Sequence, residues 1–333
     1  MKKNCLHKRS IIIITAVTIL TVLSLCSCAR KNEPYSRTGI FFDTIVDISI
    51  YDDIPKEESD RIISKCFDLM AHYEGLFSRT VEDSDISRIN RANGNAVTVS
   101  PETIELLTEA IGYAKLSSGI VDPTVGRLSI LWNIGSSEEN RIPSEEEIEN
   151  ALSTVDYTGV ILENDTVRLL NPEAALDLGF IAKGYIADRL KEYMLSEKIG
   201  SAVINLGGNV LLIGSKNGND FEIGLKDPLD PNGRPRTVLG ESDVSIVSSG
   251  NYERFFEKDG KRYHHILSLS DGYPAESDLS MVTIVSKKSI DGDALSTLCF
   301  ILGSQKAKEF LSEHRPDVYA VFTDMNGNVT YSR

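Results

Sequence analysis

Hydrophobic and polar residues follow two different periods along this chain, which predicts both strands and helices. Residues 41–53 (FFDTIVDISIYDD) alternate apolar and polar positions, as a strand does when one of its faces is buried. Apolar residues recur at helical spacing in 56–76, 101–116 and 181–197. Between and after these segments, shorter apolar runs are separated by glycine and Asp/Asn clusters, which favours strands joined by turns.

The order of the remaining elements indicates the fold class. A helix is predicted at 144–153, where Ser144 and Glu147 have the spacing of a capping box. Another helix is predicted at 291–302, ahead of a final strand pair around Asn326-Gly327. Short strands are predicted within 157–176 and near 202–206, 210–214, 221–226, 236–248, 263–269 and 280–286. Consecutive short strands mixed with helices predict an α+β fold with mixed, largely antiparallel sheets and packed helices.

The first residues carry the pattern of an export signal. Residues 1–10 are basic, and residues 11–25 form an apolar run that is short for a spanning helix. The run ends in Leu25-Cys26-Ser27-Cys28, which resembles a bacterial lipobox. We therefore predict a lipoprotein signal peptide at 1–27, lipidation of Cys28, a tether at 28–37 and one domain at 38–333. An uncleaved anchor is the alternative, and both arrangements place the domain outside the cytoplasm and at a membrane.

Composition narrows the classes of function. The chain is 41% hydrophobic and 25% charged, which is typical of a globular protein. Its formal net charge of -14 makes it a poor candidate for binding nucleic acid, which needs basic patches to neutralise phosphate. Beyond the N-terminal region only Cys66 and Cys299 remain, both in apolar patterns. We expect two buried thiols and no disulfide.

Residues 177–190 (DLGFIAKGYIADRL) carry the first chemical signal. An apolar run reaches Gly179, and a helical pattern then opens with Lys183 and Gly184 in its first turn. A strand that turns into a helix there presents free backbone N–H groups and a lysine to an anion such as phosphate. Neither GxxxxGK[ST] nor GxGxxG occurs in this segment. A strand, turn and helix with a solvated lysine is the alternative interpretation.

Two further pairs of polar residues suggest chemistry. Asp293 and Thr297 are four residues apart in a predicted helix, so both point from one face. A carboxylate and a hydroxyl suit Mg²⁺, which prefers oxygen ligands; a helix N-terminal aspartate and a packed threonine are the structural alternative. His264 and His265 are adjacent on a predicted strand and face opposite sides. One is therefore expected to reach a site and the other to be solvated.

Several more blocks follow in a fixed order, and together with 177–190 they resemble the ApbE family, the FAD:protein FMN transferases. The resemblance extends from about Phe42 to near the C-terminus. The blocks are FSRTVEDSDISRIN (77–90), SSGIVDPTVGRLSILWNIG (117–135), NLGGN (205–209), SSGNYERFF (248–256), YHHILSLSDGYPA (263–275) and DGDALSTLCFILG (291–303).

The resemblance implies roles for individual residues. It assigns Mg²⁺ to Asp293, Thr297 and the backbone carbonyl of Ala182. It makes His265 the general base that takes a proton from a hydroxyl as this attacks the FMN-side phosphate of FAD, with AMP leaving. It places Asp122, in a turn made rigid by proline, in the wall of the flavin pocket.

Other residues are expected to contact the flavin nucleotide or to shape its site. Lys183 and Gly179 are expected at a phosphate, and Ser248, Ser249 and Gly250 are expected to form a small loop close to the ligand. Thr80 occupies a position that the family associates with the balance between FMN transfer and FAD hydrolysis. Trp132 and the Gly207-Gly208 pair are expected to serve packing and a tight turn, respectively.

The chain also departs from the family pattern after the histidines. Ser268 and Leu269 stand where the family has Asp and Pro, and Asp271 stands where it has Thr. A relocated acid and an altered metal affinity are both open interpretations.

The sequence thus predicts a lipid-anchored, Mg²⁺-dependent transferase. It would attach FMN from FAD to a Thr or Ser of an extracytoplasmic acceptor, such as a subunit of a membrane redox complex or a surface flavoprotein. The alternatives are an FAD pyrophosphatase that gives FMN and AMP, a flavin-binding lipoprotein without catalysis, and a solute-binding lipoprotein. The last usually alternates strands and helices in two lobes, an alternation that this chain does not show.

Overall fold

Fifteen strands and seven helices make up the part of the chain that the computed structural model describes, which is residues 33–135, 140–230 and 232–333. The strands are β1 (Tyr35–Phe41), β2 (Thr44–Ile50), β3 (Val97–Thr98), β4 (Val160–Glu163), β5 (Thr166–Leu169), β6 (Ser201–Leu206), β7 (Asn209–Gly214), β8 (Phe221–Lys226), β9 (Pro235–Glu241), β10 (Ser245–Gly250), β11 (Phe255–Lys258), β12 (Lys261–His264), β13 (Leu279–Ser286), β14 (Tyr319–Asp324) and β15 (Val329–Tyr331). The helices are α1 (Lys56–Phe77), α2 (Asp85–Arg91), α3 (Pro101–Leu116), α4 (Gly126–Trp132), α5 (Glu145–Leu152), α6 (Ala182–Ser196) and α7 (Ser289–His314).

The central feature is an eight-stranded sheet with the order β1-β2-β6-β7-β10-β13-β14-β15. Every neighbouring pair in it is antiparallel. Three smaller antiparallel sheets have the orders β3-β5-β4, β8-β9 and β11-β12. The predicted α+β class with largely antiparallel sheets is confirmed.

Helices and a hairpin cover the two faces of this sheet. Helix α7 packs on β10 and β13 and also against α6, and α1 packs on β1 and α6. On the other face, Phe221 and Leu239 of the β8-β9 hairpin pack against Ile246 and Met281. Strand β13 is buried along its whole length because it is covered on both faces. Residues Tyr35–Arg333 form one compact unit.

Local signals in the sequence explain where the helices begin. The Ser100 hydroxyl accepts the N–H of Thr103 and caps α3 ahead of Pro101. Ser144 and Glu147 form the predicted capping box at the start of α5. These helices, and α1 at Lys56–Phe77, lie where the hydrophobic pattern predicted them.

The structure also corrects several predicted boundaries. The segment predicted as a tether ends earlier than position 37, because β1 already begins at Tyr35. The run before Gly179 is not a strand; its one bridge joins Ala175 to Val125. The strand predicted at 263–269 ends at His264, where the chain turns.

Two helices also differ from the prediction. The short helix α2, at the end of the block FSRTVEDSDISRIN, is not predicted from the sequence. Helix α7 continues to His314 past a break at Gly303, whose φ of 75° is left-handed. A helix predicted to stop near that glycine is therefore followed directly by a second helical segment.

Other predictions from the sequence fare differently. Cys66 and Cys299 are free, buried thiols, as expected. The predicted signal peptide and the lipidation of Cys28 lie outside the described residues. Within the described ranges, none of the helices has the length and apolar character needed to cross a membrane.

Candidate active site

A cleft of about 1280 Å³ brings most of the predicted site residues together. Its walls come from the β1-β2 turn, the segment after α1, the start of α6, the β6-β7 turn, β10 and the segment after β12. The predicted residues that line it are Thr80, Asp122, Gly179, Ala182, Lys183, Ser248, His265 and Thr297. Ser249, Gly250 and Asp293 are not in its lining.

Asp293 lies behind the cleft wall, at the junction of two helices. It is only 4% exposed. Its Oδ2 accepts the backbone N–H of Gly184 at 2.8 Å, and its Oδ1 lies 3.7 Å from Nζ of Lys183. A carboxylate from α7 therefore meets the positive N-terminus of α6, together with the lysine of its first turn.

The opposite contact joins the same two helices. The carboxylate of Asp188, on α6, accepts the N–H groups of Ser289 and Ile290 at 2.8 and 3.0 Å, at the start of α7. Each helix thus caps the N-terminus of the other. Gly184 permits the close approach, because a Cβ there would lie 2.6 Å from Cα of Ile290.

The residues predicted as a small loop, 248–250, instead end strand β10. Of these three, Ser248 lines the cleft, and alternation along the strand turns Ser249 to the opposite face. Ser249 turns to α7, where its Oγ lies 2.8 Å from Oγ of Ser296 and 3.5 Å from Oγ1 of Thr297. A Cβ at Gly250 would lie 2.6 Å from the carbonyl oxygen of Ser280, so this glycine serves packing.

His265 follows β12 directly, and one of its two ring nitrogens is hydrogen-bonded to the backbone. Its Nδ1 lies 3.3 Å from the carbonyl oxygen of Arg254. Since a carbonyl only accepts, Nδ1 carries the proton, which leaves Nε2 as an acceptor. Burial lowers the pKa of His265 to about 4, and the charges of Arg254 and Lys183 add to this. The imidazole is therefore neutral at pH 7 and able to take a proton.

His264 was expected to be solvated if His265 reached the site, and this expectation is wrong. The ring is buried, at 5% exposure, against Phe300. Its Nε2 donates to the carbonyl oxygen of Ala275 at 3.1 Å, and its Nδ1 accepts the N–H of Ile266 at 3.3 Å. Both nitrogens are used within the protein, so His264 is structural.

Asp122 lines the cleft, but its carboxylate holds the surrounding loop. Oδ1 accepts both the N–H and the hydroxyl of Thr124, at 2.8 and 2.6 Å. Oδ2 accepts the N–H of Tyr157 at 2.9 Å. The rigid turn predicted from Pro123 is thus fixed by three hydrogen bonds, and burial raises the pKa of Asp122.

The turn before α6 offers fewer free donors than the sequence suggested. The N–H of Gly179 donates to Oδ1 of Asp177 at 2.9 Å, and Oδ2 of Asp177 pairs with Arg79 at 3.0 Å. The N–H of Gly184 is held by Asp293. Gly179 and Lys183 both line the cleft, but the N–H of Gly179 is already bonded, so the ammonium of Lys183 is the predicted anion-binding group with donors left for a ligand.

Two charged cleft residues, Glu253 and Arg254, were not singled out from the sequence. Glu253 is exposed to solvent in the cleft, whose walls nevertheless desolvate its carboxylate. This desolvation raises its pKa to about 7; the charge of Asp293 acts in the same direction and that of Lys183 opposes it. The signal was present in SSGNYERFF, where a charged pair follows the glycine.

The altered segment after the histidines places no acid in the cleft. Oδ1 of Asp271 accepts the N–H of Tyr273 at 3.1 Å, and Asp271 is absent from the cleft lining. Ser268 and Ser270 face each other at 2.8 Å between their hydroxyl oxygens. Leu269 adds apolar surface to the cleft. A relocated acid at this segment is therefore not observed.

The packing predictions agree with the structure. Trp132 is buried, and its indole N–H donates to the carbonyl oxygen of Gly272 at 2.7 Å. Gly207 and Gly208 form the β6-β7 turn with positive φ values of 61° and 97°. A side chain at Gly207 would collide with Thr44.

The donor chemistry of the site fits Mg²⁺. The carboxylate of Asp293, the hydroxyl of Thr297 and the carbonyl of Ala182 are hard oxygen donors. No group of three or more His, Cys, Asp or Glu side chains suited to a metal occurs among the described residues. Mg²⁺ commonly uses one or two carboxylates and takes its other ligands from phosphates and water. The residues fit an ion that is shared with a phosphate-bearing ligand.

Fold and site together define an α+β protein whose cleft is lined by a lysine, a neutral histidine and a threonine, with a buried carboxylate behind the lysine. Residues 42–322 match the model of the ApbE family, and the chain belongs to that family.

Named relatives agree with this assignment. The chain is 34% identical to the FAD:protein FMN transferase of Treponema pallidum, covering 97% of this chain and 92% of the relative. It is 35% identical to an FAD:protein FMN transferase of Klebsiella pneumoniae, covering 90% and 92%. These relatives are transferase enzymes by name.

Solved structures show the same fold. The ApbE protein of Thermotoga maritima has a TM-score of 0.82 and 33% identity, covering 90% of this chain and 96% of that one. The flavin transferase ApbE of Vibrio cholerae has a TM-score of 0.78 at 24% identity, over 90% and 96%, which bears on the fold alone.

Proposed function

We propose that this chain is an FAD:protein FMN transferase, which moves FMN from FAD to a Thr or Ser hydroxyl of an acceptor protein and releases AMP. Membership of the ApbE family and the names of its relatives support the flavin transfer. The observation that carries the proposal is the convergence of His265, Lys183 and Thr297 on one cleft, with Asp293 directly behind Lys183.

The reaction is a phosphoryl-group substitution. The acceptor oxygen forms a bond to the FMN-side phosphorus, and the bond from that phosphorus to the AMP oxygen breaks. The proton of the attacking hydroxyl passes to Nε2 of His265, which is neutral and unprotonated at this nitrogen. AMP leaves with the electron pair of the broken bond.

Cations position the pyrophosphate for this step. The Lys183 ammonium, oriented by Asp293 at 3.7 Å, holds its anionic oxygens. Asp293, Thr297 and the Ala182 carbonyl would hold Mg²⁺. The ion would offset negative charge that builds on the phosphates.

We place the enzyme outside the cytoplasm, anchored by a lipid on Cys28 after removal of residues 1–27. The support is the basic, apolar and lipobox-like pattern at the start of the chain. An enzyme held at a membrane by a lipid is suited to acceptors held there too, such as subunits of membrane redox complexes or surface flavoproteins.

The test is intact-mass analysis of an acceptor protein after incubation with the chain, FAD and Mg²⁺. We expect the acceptor to gain the mass of one FMN, with AMP released in equal amount. Asp293→Ala and chelation by EDTA should each abolish the gain. Asp68→Asn, at an exposed position of α1, is the matched control and should leave it unchanged.

Each other outcome identifies a different protein. Free FMN and AMP without an adduct would make the chain an FAD pyrophosphatase. FAD that stays bound and intact would make it a flavin carrier.

A further inference from the structure

A second concavity, which we call the arginine groove, adjoins the cleft. It has a volume of about 430 Å³, and its walls include Arg79, Thr80, Glu82, Arg91, Arg127 and Ile130. Arg79 and Thr80 line the cleft as well, so the two spaces meet at these residues. A ligand that extends from the reacting centre past Thr80 would therefore enter the groove.

Helix α4 divides the two spaces. Val125, just before its first turn, and Ser129 face the cleft, whereas Arg127 and Ile130 face the groove. Helix α2 supplies the opposite wall with Arg91. The groove is thus built between two short helices.

The side chain of Asn90, which lines the groove, holds two segments of its wall together. Asn90 donates to the carbonyl oxygen of Leu176 at 3.0 Å and accepts its N–H at 2.7 Å. This pair ties α2 to the segment that leads into α6. The groove is therefore a preformed feature that needs little ordering when a ligand binds.

Backbone carbonyls orient two of the arginines without neutralising them. Nε of Arg127 donates to the carbonyl oxygen of Glu173, and Arg91 donates to that of Glu82. The Glu82 carboxylate lies 3.7 Å from Arg91, but its side chain is 86% exposed, so this ion pair is weak. Arg127 has no carboxylate partner among the described residues. Guanidinium groups oriented in this way can bind a carboxylate through bidentate hydrogen bonds.

The rest of the chain makes this positive groove distinctive. With 49 acidic and 35 basic side chains, the protein as a whole repels an acidic partner. Because Asp177 pairs with Arg79 and the exposed Glu82 pairs only weakly with Arg91, Arg91 and Arg127 are the cations in the groove that can receive acidic groups, next to the cleft. Ile130, 46% exposed in the wall, adds apolar contact of the kind that a peptide side chain can cover.

We propose that the arginine groove binds an extended, acidic segment of the acceptor protein, adjacent in sequence to the hydroxyl residue that receives FMN. Carboxylates of this segment pair with Arg91 and Arg127, and the chain then passes Thr80 into the cleft. This inference rests on the proposed transfer function, because it assigns the route by which the acceptor enters. Selectivity among acceptors then comes from residues that flank the modified Thr or Ser.

The test begins with binding, which does not depend on transfer. A fluorescein-labelled peptide with one Thr flanked by Asp is titrated with the full chain in the presence of FAD and Mg²⁺, and anisotropy is recorded. Its twin carries Asn in place of Asp. We expect the acidic peptide to bind at least about tenfold more tightly than its twin. The double variant Arg91→Gln/Arg127→Gln should lose this preference, and salt should weaken it.

Controls separate the groove from the cleft and from general charge. Arg61→Gln, on α1 and paired with Glu197 at 2.5 Å, removes an arginine that lines neither space and should keep the preference. The KM for FAD should not change in the double variant, whereas the KM for an acidic acceptor should rise about tenfold with little change in kcat. Circular dichroism and the melting temperature establish that the variants are folded.

Three outcomes would overturn the proposal. Equal binding of the two peptides, or preference retained by the double variant, would show that the groove does not read acidic groups. A raised KM for FAD would assign the groove to the nucleotide. Binding to vesicles with anionic lipid, lost in the double variant, without peptide preference would assign it to a membrane surface. Selective peptide binding without any FMN transfer would refute the proposed function and leave the groove assignment standing.

Discussion

The carboxylate of Asp293 accepts the backbone N–H of Gly184 from a helix whose sequence lies 109 residues away. Asp188 returns the contact by accepting two N–H groups at the start of α7. This exchange of caps places the proposed metal-binding carboxylate beside Lys183.

Gly184→Ala is expected to force α6 and α7 apart. A Cβ there would lie 2.6 Å from Cα of Ile290, and backbone cannot move aside as a flexible side chain can. Overpacking of this kind costs about 1–3 kcal/mol. The melting temperature and FMN transfer should both fall. Gly112→Ala in α3, where a Cβ meets nothing within 4 Å, is the control and should be neutral or stabilising.

Asp188→Ala should weaken Mg²⁺ binding even though Asp188 is not a proposed ligand. Two N–H groups at the start of α7 lose their acceptor, which costs about 1–3 kcal/mol and loosens the helix that carries Asp293. A 10–100-fold loss of metal affinity is the expected order of magnitude for a supporting residue. Calorimetric titration of Mg²⁺ in the presence of FAD measures it. Asp188→Asn, which keeps one acceptor, should restore part of the affinity; no recovery would show that the charge matters more than the cap.

His265→Gln should slow FMN transfer by about 10²–10⁴-fold while FAD still binds. The pKa of His265 is lowered to about 4, so the neutral base persists until the pH falls to that region. The kcat/KM of the wild type should therefore stay flat through pH 6.5 and decline only near pH 4. A decline centred near 6.5 would mean that this imidazole is not desolvated or not the base.

His264→Gln should make the protein less sensitive to acid. Burial lowers the pKa of His264 to about 4 from an ordinary value of 6.5, so the folded state resists its protonation. The stability from this histidine is present in full above pH 6.5 and is lost as the pH falls toward 4. The loss amounts to about 3 kcal/mol at most. Urea unfolding of both proteins over this range measures it, and parallel curves would show that His264 contributes nothing.

The sequence predicts the regular elements well where one period dominates. Helices α1 and α3 and strands β6 to β8 follow from apolar spacing and turn residues, because burial of one face fixes the pattern. Strand β1 is not predicted, because Ser36, Thr38 and Gly39 weaken the alternation of apolar and polar residues next to a polar segment. The second part of α7 is not predicted, because a glycine such as Gly303 commonly marks the C-terminus of a helix, whereas this helix resumes after it.

The candidate site was predictable in its members but not in their orientation. The ordered motifs identify Lys183, His265 and Thr297 as site residues, and the structure places all three in one cleft. The sequence does not show that the carboxylate of Asp122 is hydrogen-bonded within its own loop region, or that Ser249 faces α7, because both depend on tertiary contacts. Glu253 acquires its raised pKa only from what surrounds it in the folded chain.

The exchange of caps between α6 and α7 also bears on how the molecule comes into being. A growing chain contains Gly184 and Asp188 long before it contains Ser289 and Asp293. Until the later helix is made, the N–H of Gly184 lacks the carboxylate that accepts it, and Lys183 lacks its partner Asp293. We therefore expect a chain that ends before Ser289 to be inactive in FMN transfer, because it lacks the carboxylate that pairs with Lys183.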